Sequence, residues 1–175
     1  MAANPGSSDS SPAIKPHAYD PITNPELFSG VLSRRIVAFF IDVILIVAPV
    51  VAATILIVIF GIITLGLGLI LLWPLHAAAI IWAILYYGFT LGGSASATIG
   101  MRVMDLQMRT WYGAPAYFVL GAVHAIAFWI SVTMLSPLVL LVGLFTPRKQ
   151  LLHDLLLGTV VINSPVRAAV MARNS

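Results

Sequence analysis

From Asp42 to Arg102 no residue of the chain carries a charge. One membrane-spanning helix needs about 20 apolar residues, so this interval is far longer than a single span. The composition points the same way. The 175 residues are 60% hydrophobic and 9% charged, with a mean hydropathy of +1.02, whereas a soluble domain carries about a quarter charged residues. That excludes a soluble globular domain and disorder over most of the chain. It also excludes a nucleic-acid-binding domain, whose basic stripe needs many more Lys and Arg. The chain has no cysteine, which removes disulfides, thiolate metal sites, iron–sulfur clusters and cysteine nucleophiles. The net charge of +3 matters through where the cations fall around apolar segments.

The apolar run from Val31 to Leu91 is read as two helices, over about 32–59 and 69–92. The break lies near Gly61, Gly66, Gly68 and Pro74. A second charge-free run, Thr110 to Pro147, has its apolar core at 116–146. As one straight helix that core would be about 46 Å long, well beyond a bilayer core of about 30 Å. Pro137 after Ser136 supplies a break. The segment is therefore either an interfacial helix plus one span, or a tight hairpin of short helices. Between the two runs, 94–115 contains Arg102, Asp105 and Arg109 and alternates at Val103, Met104, Leu106 and Met108. That pattern suits a short strand or an interfacial stretch. In the tail, 150–157 reads as a short helix ended by Gly158, and Thr159–Ile162 is β-favouring. The fold class expected is an all-α polytopic transmembrane bundle with short cytoplasmic strand-like segments. Its parts are a leader (1–27), a membrane domain (28–163) and a C-terminal tail (164–175). The leader, with five prolines and a Ser/Gly-rich start, is expected to be disordered, and it lacks the pattern of a secretory signal peptide.

Topology follows from the cations. Arg34 and Arg35 stand at the start of the first helix, the link at 61–68 has none, and Arg102 and Arg109 follow the second helix. The tail adds Arg148, Lys149, Arg167 and Arg173. All of these prefer the cytoplasm, which calls for an even number of crossings and favours the hairpin. The expected location is a bacterial inner membrane, multi-pass, with the N-terminus in the cytoplasm.

Ionisable residues at membrane depth are costly and mark function or pairing. Arg35 and Asp42 are seven apart, close to two full helical turns, so they share a face about 10 Å apart along the axis. Asp42, about two turns into the helix, is the strongest single candidate. The expected polar cluster is Arg35, Asp42, Arg102, His153 and Asp154, as an ion- or proton-binding site or a structural ion-paired one. His76 and His124 have no carboxylate or second His at ligand spacing, so no metal site is read and no cofactor is expected. Gly92-Gly93-Ser94-Ala95-Ser96 does not fit a hydrolase elbow, and an enzyme is not expected. Gly88 and Gly92 form a small-xxx-small pair suited to close helix packing. The tryptophans (Trp73, Trp82, Trp111, Trp129) and tyrosines (Tyr86, Tyr87, Tyr112, Tyr117) suit interfacial belts.

Three segments carry a family resemblance. Arg35-Ile-Val-Ala-Phe-Phe-Ile-Asp42, Ala97-Thr-Ile-Gly-Met-Arg-Val-Met-Asp-Leu-Gln-Met108 and Leu151-Leu-His-Asp-Leu-Leu-Leu-Gly-Thr-Val-Val161 resemble, in order, the motifs of the RDD family of prokaryotic membrane proteins. The resemblance implies that Arg35, Asp42 and Asp154 are the residues for which the family is named. It also implies a polytopic architecture and, for some members, transport such as sodium–proton exchange. Met101 stands where the family usually has Lys, and His124 is the polar residue nearest to where it often has Arg. Two functions follow as expectations. One is an ion-coupled transporter using Asp42. The other is an accessory, assembly or lipid-binding subunit. Either would act in the lipid bilayer as a homo-oligomer or within a larger membrane complex, with no nucleic acid involved.

Overall fold

A computed structural model describes residues 17–135 and 142–174. It is mostly helical, with two long apolar helices and a small sheet. Helix α1, Val31–Ile63, has 33 residues and is about 50 Å long. It begins after Gly30, whose φ of 66° a side-chain-bearing residue rarely adopts. Pro49 lies inside it. A 3₁₀ turn at Leu67–Leu71 leads into α2, Leu72–Leu91. Both helices fall close to the expected intervals. Long apolar runs set them, charge-free beyond Asp42, and the glycine-rich link between them turns through Leu65 and Gly66 in the left-handed region.

The third long helix, α4, covers Phe118–Leu135. It follows a one-turn helix α3 at Ile99–Val103 and strand β1 at Leu106–Thr110. The expected break at Ser136 and Pro137 lies outside the described residues. Beyond it the chain is helical again at 142–145. Gly143 there is so close to Leu32 and Leu151 that a Cβ would crowd both. Helix α5, Leu152–Leu157, ends at left-handed Gly158 (φ 64°), as the sequence foretold. Strand β2, Thr159–Asn163, and helix α6, Pro165–Asn174, complete the chain.

The two β-favouring segments find each other. β1 and β2 pair antiparallel, Leu106 opposite Asn163 and Thr110 opposite Thr159. The expected all-α class therefore carries one two-stranded sheet. Every residue of β2 is buried.

The core lies at one end. In α1 the buried stripe at this end is Val31, Ala38, Asp42 and Ile46, with Gly61 buried separately at the far end; in α2 only Tyr86, Tyr87, Gly88 and Leu91, near its end, are buried. These pack with Met101, Leu106, Met108 and Val161. The other halves of α1 and α2 present apolar side chains outward, with Ile62 73% and Trp73 86% exposed. Such faces suit hydrocarbon rather than water.

Part of the leader is docked. Residues 1–16 lie outside the described ones, but 17–27 are ordered against the sheet. Ala18 N–H donates to Trp111 O (2.8 Å), Arg148 Nε donates to Tyr19 O (3.0 Å), and Pro25–Leu27 forms a 3₁₀ turn. Tyr19 and Leu27 pack against buried Phe28, Val160 and Ile162. Proline-rich composition discourages long helices and sheet interiors, but it leaves short turns and docked extended chain available.

Candidate functional site

The buried carboxylates on α1 and α5 sit in different surroundings. Asp42 is 3% exposed and is held by neutral donors. Tyr86 Oη donates to Oδ1 at 2.5 Å, Thr98 Oγ1 to Oδ2 at 2.6 Å, and the Gly100 N–H to Oδ1 at 2.8 Å. Thr98 also caps α3, its hydroxyl accepting from Met101 N. Gly100 can come this close only because it lacks a side chain. A Cβ there would lie 2.1 Å from Ala38 O and 2.9 Å from Asp42 Cγ. Among the described residues no cation pairs with Asp42.

Asp154 is fully buried and is paired. Arg35 Nη1 donates to its Oδ2 at 2.5 Å, and Leu151 N–H to the same oxygen at 2.9 Å. Thr159 Oγ1 reaches Oδ1 at 3.4 Å. The Nε2 atoms of His124 and His153 each stand 3.7 Å from Oδ1. The imidazoles meet edge to face at 4.8 Å, and Phe128 closes on His153 at 5.3 Å. Burial pushes the His153 imidazole down to about 3, which keeps it neutral. Burial acts to raise the Asp154 carboxyl, but the Arg35 guanidinium beside it outweighs this and holds it below the usual carboxylate range.

Of the cluster expected from the sequence, Arg35, His153 and Asp154 come together. Asp42 stands apart from them in its bonding but borders the same cleft. Arg102 is a correction. It is exposed, and its Nε caps Ala97 O at 3.1 Å, because α3 turns it away from Asp42 while Gly100 faces it. Gly88 and Gly92 pack within the chain, where a Cβ on either would strike Phe118 at the start of α4. Tyr86 and Tyr87 are buried in the core of the chain.

The reading of no metal-ligand set also changes. His124, on α4, is brought to His153 and Asp154, with one ligand atom from each within 4.8 Å of the other two. Their separations of 29 and 30 positions from His124 hid this grouping. Arg34 is a further addition. Its Nη1 donates to Asn163 Oδ1 at 2.6 Å and its Nη2 to Met104 O, while Asn163 Nδ2 donates to Glu26 O and Ser29 O. This lattice ties the start of α1 to β2. Position 34 was read only as a topology charge, and no local pattern marked Asn163 as its partner.

A cleft of about 400 Å³ runs between these groups. Arg35, Asp42, Thr98, His124 and His153 are among its polar lining, and Phe39, Phe128 and Val132 among its apolar lining.

Apolar outer faces on two long helices, with a polar node enclosed at one end, define an integral membrane protein. A model of the RDD family matches residues 30–158, and the chain belongs to that family. No curated protein and no solved structure gave a match.

Proposed function

We propose that this is a multi-pass protein of the bacterial inner membrane that carries protons or sodium ions, with Asp42 as the binding carboxylate. The observation that supports this best is Asp42 itself. It is a buried acid with no paired cation among the described residues, bordering a cleft. Two of its three donors are hydroxyls. Tyr86 and Thr98 can turn to accept from a protonated Asp42, or offer oxygen lone pairs to a hard cation. Arg35, held by Asp154 at the same cleft, would set the field that an entering cation meets.

The proposed topology puts the sheet end in the cytoplasm. Arg34, Arg102, Arg109 and Arg148 all belong to that end of the fold or its loops. Helix α4 starts there, where Ala116 N–H donates to Ser96 Oγ, and Gly143 is back beside Leu32. This return favours an even number of crossings, with 116–146 as a hairpin.

Flux in proteoliposomes tests the proposal. Wild-type protein should couple a sodium gradient to a pH change, and Asp42→Asn should abolish it while remaining folded. No coupled flux from folded wild-type protein, or equal flux from both, overturns the carrier reading.

A second reading, an accessory or lipid-binding subunit, draws on the apolar walls of the cleft, which suit an acyl chain. It predicts a lipid or a larger membrane protein retained in stoichiometric amount in mild detergent. Neither reading assigns an enzymatic step. Whether the chain works as a homo-oligomer or in a larger complex is read by the same purification.

A further inference from the structure

We propose that His124, His153 and Asp154 form a binding site for a divalent transition-metal ion of the zinc or cobalt type. This goes beyond the carrier reading and does not depend on it. Three observations carry it. The first is convergence. The Nε2 atoms of both histidines face a single carboxylate oxygen, Asp154 Oδ1, at 3.7 Å each. Ligands around a tetrahedral ion with bonds of ~2.0–2.1 Å stand roughly 3.4 Å apart, so the two imidazoles need close by a few tenths of an ångström on that oxygen and, with all three ligand atoms within 4.8 Å of one another, by up to about 1.4 Å on each other.

The second is an unmet demand. His153 is 0% exposed, yet neither ring nitrogen has a hydrogen-bond partner among the described residues. Buried polar nitrogens are normally satisfied. A neutral imidazole with a free nitrogen aimed at a carboxylate oxygen and a second imidazole is in the form a metal takes. The donor set of two imidazoles and one carboxylate oxygen suits borderline ions rather than calcium or magnesium.

The third is support and access. Asp154 Oδ2 is occupied by Arg35 and the Leu151 N–H, which leaves Oδ1, touched only by the longer 3.4 Å contact of Thr159 Oγ1, as the ligand atom. Thr159 Oγ1 stands 3.5 Å from His124 Nδ1, where it can orient the ring from behind. Both histidines line the cleft, which gives an ion its entry and leaves room for a further ligand. Arg35 repels an incoming cation, and the carboxylate of Asp42 on the same cleft offsets part of that charge.

The test uses the full chain, purified on a tag without histidine and stripped with a chelator. Zinc should bind at one ion per chain, and cobalt(II) should give the intense visible absorption of a tetrahedral site. His153→Gln and His124→Gln should each weaken zinc binding by about 10-fold or more, whereas a His17→Gln/His76→Gln double variant should bind as wild type does. Where a variant at 124 or 153 does not fold, the wild type alone decides: zinc must raise its thermal midpoint in detergent. The proposal is overturned if wild-type protein takes up no stoichiometric zinc or cobalt. It is equally overturned if folded variants at 124 and 153 bind as wild type does, or if zinc leaves the wild-type midpoint unchanged.

Discussion

Asp42 and Asp154 are both buried acids at the same end of the fold, and they are stabilised in opposite ways. Asp154 meets a full positive charge, with Arg35 at 2.5 Å. Asp42 meets none among the described residues and is solvated by two hydroxyls and one backbone N–H. The first arrangement concentrates the stabilisation in one partner; the second spreads it over three. The difference suits different work. An acid locked to a guanidinium keeps its charge and fixes the chain around it, here α1 to α5. An acid held by neutral, partly rotatable donors can exchange a proton or a cation with less to break.

The comparison predicts its largest effect at Arg35. Arg35→Ala leaves the Asp154 charge buried without its cation, and breaking such a pair from one side costs about 3–5 kcal/mol. A loss of that size should appear as a large fall in thermal midpoint in detergent, or as failure to accumulate folded protein. The double variant Arg35→Met/Asp154→Leu removes both charges and should recover part of the loss. If Arg35→Ala is as stable as wild type, Asp154 is not held by concentrated charge and the contrast with Asp42 fails.

A smaller effect is expected at Tyr86. Tyr86→Phe removes one of three donors to Asp42, and a hydrogen bond to a charged group contributes about 1.5–3 kcal/mol. Thr98 and Gly100 still hold the carboxylate, so the protein should fold, with a thermal midpoint between those of wild type and Arg35→Ala. A loss as large as that of Arg35→Ala would mean that Asp42 also depends on one dominant partner.

How far the two nodes were legible in the sequence follows from the range of the interactions. Helices α1 and α2 were readable because the absence of charge between Asp42 and Arg102 is a local property, and so was Gly158 as the end of α5. The segments that became β1 and β2 were marked by alternation and β-branched residues. Their pairing, Leu106 with Asn163, links positions too distant for any local pattern to specify. The same limit governs the sites. Arg35, Asp42 and Asp154 could be singled out because charge is rare in this chain. The partners of Asp42 could not: Tyr86, Thr98 and Gly100 are an ordinary aromatic, hydroxyl and glycine until the fold brings α2 and α3 against α1. His124 was set aside for lack of a neighbour in sequence, and its neighbours are supplied in space by the packing of α4 on α5.

Arg102 offers the smallest and sharpest check, because rarity of charge misled there. It lies on α3 two residues from Gly100, and counting charges alone groups it with Arg35 and Asp42. In the structure its side chain is exposed and its one described bond caps Ala97 O. Water replaces such a bond at small cost, and surface substitutions of this kind stay within about ±0.5 kcal/mol. Arg102→Ala should therefore keep the wild-type thermal midpoint within that margin. Any sodium-coupled flux that depends on Asp42 should survive it, apart from a mild effect on ion attraction that added salt removes. A collapse of either property in Arg102→Ala would put a second cation into the working site. Asp42 would then no longer be the acid served by neutral donors alone, and both nodes would be stabilised in the same way.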